Sequence, residues 1–176
     1  MSQPKPFPTI KTCLSLVVFL VSMTVSLAQD GYWEKWNKNY KEVDVEALLR
    51  FERQYADSVN QDAEAAKLYS RKDGYRFLGT FTGQLRDLSE DRREAMKITF
   101  SLFSGKNEVF DQISQEVQIR VGTELIWMPI QPILEAPFKE EIKKNRDVYL
   151  YTLYLNHHNL QGTLYNLFLI SEFIKQ

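Results

Sequence analysis

The end of this chain carries almost no charge, and this feature constrains the fold more than any other. Over residues 147–176 the only charged side chains apart from the histidines are Asp147, Glu172 and Lys175. Runs rich in Val, Ile, Leu and Tyr at 148–155 and 163–174 have the composition of β-strands. Strands this poor in charge bury both faces. We expect a helical part of the chain, barrel closure or a partner to cover them.

A second pair of strands is predicted before this region, at 117–121 and 124–128, with a turn at Gly122-Thr123 between them. Gln118 and Arg120 alternate with apolar residues along the first of these strands. Because successive side chains of a strand point to opposite faces, this pair is expected to have one face in water and one in the core.

The region between the two predicted strand pairs is rich in proline. The three prolines beyond residue 28, Pro129, Pro132 and Pro137, all fall in this short region, which predicts a crossover. The charged stretch 138–144 that follows predicts one or two exposed helical turns. Two hairpins joined by a crossover indicate a small twisted antiparallel sheet or a partly closed barrel of the SH3 or OB kind. This is an analogy of architecture and not a family resemblance.

The first half of the chain is predicted to be mainly helical. Asp44 is suited to capping a helix, because its carboxylate can accept hydrogen bonds from the free amides of the first turn. Apolar residues then recur three and four positions apart, as one buried stripe along a helix over 44–60. These residues are Val45, Leu48, Phe51, Tyr55, Ala56 and Val59.

The segment that follows this helix has weaker patterns. The alanine-rich stretch 62–69 is expected to extend or follow the helix, and Asp73-Gly74 predicts a turn. Residues 75–82 place three aromatic side chains before Gly83, which indicates a short strand or an extended segment.

Residues 89–103 carry two competing patterns. Ser89 is followed by acidic residues where the first turn of a helix favours them. Within the same stretch, Met96, Ile98, Phe100 and Leu102 alternate with polar residues, which is a strand period. We favour the helix.

The chain beyond the first 28 residues is then predicted to form one α+β domain over 29–176, mainly helical over 29–113 and mainly β over 114–176.

The first 28 residues have the pattern of a cleavable signal peptide. Lys5 and Lys11 precede an uninterrupted apolar stretch over 13–27, and Ser26-Leu27-Ala28 places small residues where a signal peptidase cuts. Cleavage after Ala28 predicts export, to a periplasmic or extracellular location. The alternative is an uncleaved N-terminal membrane anchor, although the uncharged stretch falls just short of the roughly 20 residues that a spanning helix needs.

The composition of the mature chain excludes several kinds of chemistry. Cleavage removes Cys13, the one cysteine, so disulfides, thiol chemistry and cysteine metal sites are excluded. Without the two lysines of the leader, 20 basic residues face 23 acidic ones, a net charge of about −3 that does not suggest a nucleic-acid partner. The lack of cysteine and of Asn-x-Ser/Thr sites favours a bacterial envelope over a eukaryotic exterior.

Catalytic and metal motifs are missing from the sequence. The adjacent His157 and His158 would point to opposite sides of an extended chain, so they are interpreted as loop residues, and we expect no metal or cofactor. No phosphate loop or nucleophile elbow occurs. Adjacent acids such as Glu140 and Glu141 are typical of a solvated face, and no catalytic residue is assigned.

Two segments have the composition of binding surfaces. Trp33, Trp36 and Tyr40 stand three and four residues apart among lysines, so a helix would gather them on one side. We expect these rings to dock on the domain core, with attachment to a membrane surface or to an envelope protein as the functional alternative. Trp127 and Gln131 are candidates for lining a ligand groove, with Trp127 as a core residue the simpler interpretation.

The sequence therefore predicts an exported, non-catalytic envelope protein that acts as a binding or scaffold module of unknown ligand. Two alternatives stay open. One is a hydrolase-like envelope enzyme that acts through carboxylates, and the other is a peripheral membrane component attached through the Trp33, Trp36 and Tyr40 segment. An enzyme predicts a concave site with converging acids of shifted pKa, whereas a binding module predicts an apolar or aromatic groove without them.

Overall fold

The computed structural model describes residues 33–62, 69–104, 108–159 and 161–176. The chain divides into two compact units, Met1–Asn39 and Tyr40–Gln176. In the first unit the described residues form a helix, α1, over 33–39. The predicted signal peptide, residues 1–28, lies outside the described residues. Of the helices within those ranges, none is long and apolar enough to cross a membrane.

The second unit mixes helices with a sheet, so the predicted α+β class is confirmed. Its elements in chain order are β1 (Lys41–Glu42), α2 (Val45–Gln61), β2 (Tyr69–Asp87), α3 (Glu90–Ser104), the 3₁₀ helix η1 (Glu108–Gln112), β3 (Gln115–Val121), β4 (Glu124–Pro129), α4 (Pro132–Glu141), β5 (Asp147–His158) and β6 (Leu164–Lys175).

The strands form one sheet in the order β4-β3-β2-β5-β6, with β1 added beside β2. β1 runs parallel to β2, and the other pairs are antiparallel. The predicted hairpins are β3–β4 and β5–β6, and β2 lies between them because it pairs with β5 along its first part and with β3 along its second. The ends of this order approach each other at a bridge between Ile130 and Ile170. Along the described residues the sheet is not a closed barrel.

The larger apolar core includes residues of α2 and of one face of the sheet. Asp44 caps α2 as predicted, since its Oδ1 accepts a hydrogen bond of 3.0 Å from the Ala47 amide. The core side chains from α2 are Val45, Leu48 and Leu49, and they belong to one cluster with Phe77 of β2 and Phe168 of β6. The predicted stripe is wrong at Phe51, which is 56% exposed, because the inward position falls on Glu52 instead.

A second cluster covers the opposite face of β5 and β6. It combines Ala95 and Met96 of α3 and Phe110 of η1 with Leu155 and Leu167. Leu155 and Tyr154 are consecutive, and they belong to different clusters because successive side chains of a strand point to opposite faces. The charge-poor strands are therefore covered on both sides.

The helix predicted over 89–103 is confirmed as α3. It buries Ala95, Met96 and Thr99, a helical spacing, and leaves Ile98 and Leu102 of the competing strand pattern exposed. The segment is helical and not a strand because the helix buries one side against the rest of the protein, although apolar residues alternate along the sequence.

One local prediction in this part of the chain is wrong. Asp73-Gly74 is not a turn but part of the 19-residue strand β2, which begins before the predicted segment 75–82 and passes beyond it. Gly74 lies opposite Leu153 of β5, and Asp73 accepts hydrogen bonds from Arg71 and Tyr75 instead of bonding its own backbone. The proline window joins the two hairpins as predicted, and it does so as a helix, α4, because Pro132 stands in its first turn, where no amide donor is needed. Most of the stretch 62–69 lies outside the described residues.

Candidate functional site

A cavity of about 330 Å³ lies on the α3 side of the sheet. It is bounded by α3, by η1 and the residue after it, by the β4–α4 junction and by β5 and β6. Its lining residues are Phe100, Val109, Phe110, Gln112, Ile113, Gln131, Pro132, Ile133, Leu153 and Leu169. Eight of these ten side chains are apolar and none carries a formal charge.

The sheet contributes Leu153 and Leu169 to the cavity. These residues lie directly opposite each other on β5 and β6, so their side chains stand side by side on one face. Leu169 is buried and Leu153 is half-buried. β5 pairs with β2 on one side and with β6 on the other, so the backbone of this part of the lining is hydrogen-bonded on both sides.

Aromatic residues of α3 and η1 form another part of the lining. The rings of Phe100 and Phe110 meet edge to face with their centroids 5.0 Å apart. Met96, on the preceding turn of α3, is fully buried against the sheet cluster, and the Thr99 hydroxyl donates to the backbone carbonyl of Asn156. These contacts fix α3 over β5 and hold Phe100 at the cavity.

Some of the lining side chains remain largely in water. Ile133 is 79% exposed and Val109 is 59% exposed. Gln131 is placed by its own backbone, because its amide donates to the carbonyl of Ile170 at 3.4 Å and its carbonyl accepts from Leu134 at 2.9 Å. The cavity therefore opens between exposed apolar side chains, with Gln112 and Gln131 as its uncharged polar groups.

A buried polar network lies on the opposite face of the sheet, beneath α2. Its members are Glu52, Arg71, Asp73, Tyr75, Tyr154, Asn156 and Asn166. Arg71 contacts three of them, with distances of 3.0 Å to Glu52 Oε1, 2.5 Å to Asp73 Oδ2 and 2.5 Å to the Tyr75 hydroxyl. Burial raises the pKa of Glu52, and the Arg71 charge opposes that rise. Burial likewise raises the pKa of Tyr75, to about 12.

The carboxylates of this network are joined by Arg71 and do not line the cavity. The buried position of Glu52 was not predicted from the sequence, because a glutamate beside an apolar stripe is expected on the solvent-exposed side of a helix. Its burial is only evident once Arg71, 19 positions away along the chain, lies beside it.

A second fully buried carboxylate, Glu116, lies on β3. Arg86 and Arg92 both pair with its carboxylate, at 2.8 Å and 2.6 Å. The Arg86 guanidinium also lies over the ring of Trp127, 4.2 Å from the centroid, and Arg92 donates to the Trp127 carbonyl. Trp127 is half-buried, packs with these basic residues and does not line the cavity, whereas Gln131 does.

The remaining predicted site residues are Tyr40, Trp33 and Trp36, which are not among the residues that line the cavity. Tyr40 belongs to the second unit and meets Tyr151 edge to face, with the ring centroids 5.7 Å apart. Trp33 and Trp36 are half-buried residues of α1 in the first unit. The predicted grouping of Tyr40 with the two tryptophans therefore spans the boundary between the two units and stays a prediction.

The interpretation of the two histidines as loop residues is wrong. β5 continues to His158, and both side chains are buried. His157 Nδ1 lies 3.1 Å from the Ser70 hydroxyl and its ring stacks on Tyr165, whereas the two ring nitrogens of His158 have no hydrogen-bond partner among the described residues. No cluster of metal-ligating side chains is found in the described part of the chain.

No protein-family model matches this chain, and no curated protein matches it.

Proposed function

We propose that this protein is a non-catalytic binding module that takes a small apolar molecule, or the apolar chain of an amphipathic one, into the cavity beside α3. The observation that carries this proposal is the composition of the lining, eight apolar side chains of ten with no charge among them. The volume lies at the lower end of the range of about 300–1,000 Å³ that is typical of small-molecule sites.

The exposure of the lining supplies a driving force for binding. Ile133 and Val109 leave most of their surface in water, and a ligand that covers them removes apolar area at about 25 cal/mol per Å². The ordered walls support the same proposal, because a site that is already formed loses less conformational entropy on binding.

The arrangement of the acids favours binding over catalysis. The buried carboxylate of raised pKa, Glu52, belongs to the Arg71 network on the other face of the sheet. A general acid or base must lie within hydrogen-bond reach of its substrate. An apolar ligand in the cavity beside α3 meets Gln112 and Gln131 as polar lining groups, neither of which titrates.

For the sheet, we propose a partly closed barrel of the SH3 or OB kind. The bridge between Ile130 and Ile170 supports this proposal, because it brings the ends of the strand order β4-β3-β2-β5-β6 together at one point.

The binding proposal is tested with the uncharged fluorescent probe N-phenyl-1-naphthylamine. We expect saturable fluorescence enhancement with one site per chain. In Leu153→Phe the larger ring fills part of the cavity, so the probe should bind at least about tenfold more weakly, a loss of about 1.4 kcal/mol. Leu78→Phe is the matched control, since Leu78 is an exposed residue of the neighbouring strand and not of the lining.

Circular dichroism melting shows whether both variants fold like the wild type. Absence of saturable binding to the wild-type protein would refute the proposal. Equal loss of affinity in Leu153→Phe and Leu78→Phe would refute the assignment to this cavity.

We also propose that the protein acts outside the cytoplasm, after cleavage at Ala28. The support is the order of basic residues, apolar stretch and small residues in the first 28 positions. Intact-mass measurement on the protein recovered from its native cells should give a chain that begins at Gln29. Recovery of a membrane-bound species that still carries Met1 would show an uncleaved anchor instead.

A further inference from the structure

Lys72 is a basic residue of the sheet that lies close to the cavity. It stands opposite Leu155 on β5, and Gly74, two positions along β2, stands opposite Leu153 of the cavity lining. Because directly opposed side chains of a ladder share a face, Lys72 projects on the same side of the sheet as Leu153 and Leu155.

The ammonium group of Lys72 lies against α3. Its Nζ is 5.0 Å from the centroid of the Phe100 ring and 5.6 Å from that of Phe103, and it donates a hydrogen bond of 2.8 Å to the Ser104 hydroxyl. Phe100 is also part of the cavity lining, so the ammonium group and the cavity have this ring as a common neighbour.

Lys72 differs from the basic residues of α3 in its partners. Arg92, Arg93 and Lys97 each pair with a carboxylate, Lys97 with both Glu94 and Asp111. No ion pair of Lys72 is found over 33–62, 69–104, 108–159 and 161–176. The Lys72 ammonium group contacts one hydroxyl group and two aromatic rings, so it can still bind an anion.

Building on the function proposed above, we propose that the ligand is a fatty acid, with its chain in the cavity and its carboxylate on the Lys72 ammonium. A single ammonium matches the single charge of a carboxylate, whereas a phosphate monoester carries more charge and is usually held by several donors. The cavity, at about 330 Å³, has room for about ten groups of water size at ~30 Å³ each, which suits a chain of medium length.

The test compares ligands that share one chain and differ in their head group. Decanoate, decanol, decyl phosphate and decyltrimethylammonium displace N-phenyl-1-naphthylamine from the wild-type protein at neutral pH, each below its micelle-forming concentration. We expect decanoate to compete at a concentration at least about tenfold lower than decanol or the cationic ligand. This preference should shrink at high salt, because an exposed charge pair is screened.

Variants of Lys72 assign the preference to a residue. Lys72→Gln should bind the probe and decanol like the wild type and lose the preference for decanoate, and Lys72→Arg should retain it. Lys175→Gln, at an exposed position near the end of β6, is the control for general loss of positive charge and should behave like the wild type.

The outcomes separate the two proposals. If the probe itself does not bind, the binding function fails and the fatty-acid assignment fails with it. If the probe binds but decanoate and decanol compete equally, or if Lys72→Gln keeps the preference, the assignment alone is overturned. Tighter binding of decyl phosphate than of decanoate would overturn the choice of a carboxylate. The wild-type head-group series and its salt dependence decide the matter even if a Lys72 variant does not fold.

Discussion

Replacing Arg71 by alanine should lower the free energy of unfolding by about 3 kcal/mol. Glu52 is fully buried, and Arg71 is the cation that pairs with it. Removal of one partner of a buried ion pair typically costs about 3–5 kcal/mol, because the other charge stays buried without compensation. We expect the lower end of this range, since the Arg71 side chain is itself about one-third exposed and Asn156 still donates to Glu52.

Urea denaturation of the wild type and the variant measures this difference. Arg53→Ala is the matched control, because Arg53 forms an ion pair with Glu124 at 2.7 Å in which both side chains are solvent-accessible. Exposed pairs contribute about 0–1 kcal/mol. Equal, small losses in both variants would contradict a buried role for the Arg71 network.

The stability of the wild type should depend on pH through His157. Burial, and after it the neighbouring His158, lower the pKa of His157 below its usual 6.5. Below pH 6.5 the unfolded chain therefore takes up a proton that the folded chain does not bind. The free energy of unfolding then falls as the pH drops from 6.5 towards the lowered pKa, by up to about 1.4 kcal/mol per pH unit.

His157→Gln removes this titration and keeps a group able to bond to Ser70. Glu52 acts in the opposite sense, because its raised pKa lets the folded chain bind a proton before the unfolded one does. The informative quantity is therefore the difference between the two proteins in urea denaturation from pH 7.5 to 4.5. The free energy of unfolding of the wild type minus that of His157→Gln should decrease or change sign as the pH falls. A difference that does not vary with pH would show that His157 does not titrate as inferred.

Local patterns were sufficient for several elements of the fold. Asp44 caps α2 because the capping hydrogen bond joins residues three apart, so every atom that it needs lies in one short segment. The turn at Gly122-Thr123 joins β3 to β4 for the same reason, and Gly122 has the positive φ of 57° that this turn requires. The near absence of charge in β5 and β6 indicated cover on both faces before any partner element was known.

Long-range contacts decided the elements that local patterns got wrong. Asp73-Gly74 has the composition of a turn, but ladder pairing with β5 holds it extended. Arg71 and Tyr75 donate hydrogen bonds to the Asp73 carboxylate. His157 and His158 resemble loop residues, but β2 and β6 pair with them on both sides and bury them. In both cases the deciding backbone hydrogen bonds join β2 to β5, which lie far apart along the chain.

The sequence by itself determined the α+β class, the α2 helix and the two hairpins, and it favoured the α3 helix over a competing strand pattern. Only the tertiary structure decided the site. The cavity gathers side chains from α3, η1, the β4–α4 junction, β5 and β6, and its eight apolar side chains look in the sequence like ordinary core or surface residues. The residues of such a site follow no recognisable spacing along the chain. They come together only because of the way in which α3 and η1 pack on the sheet.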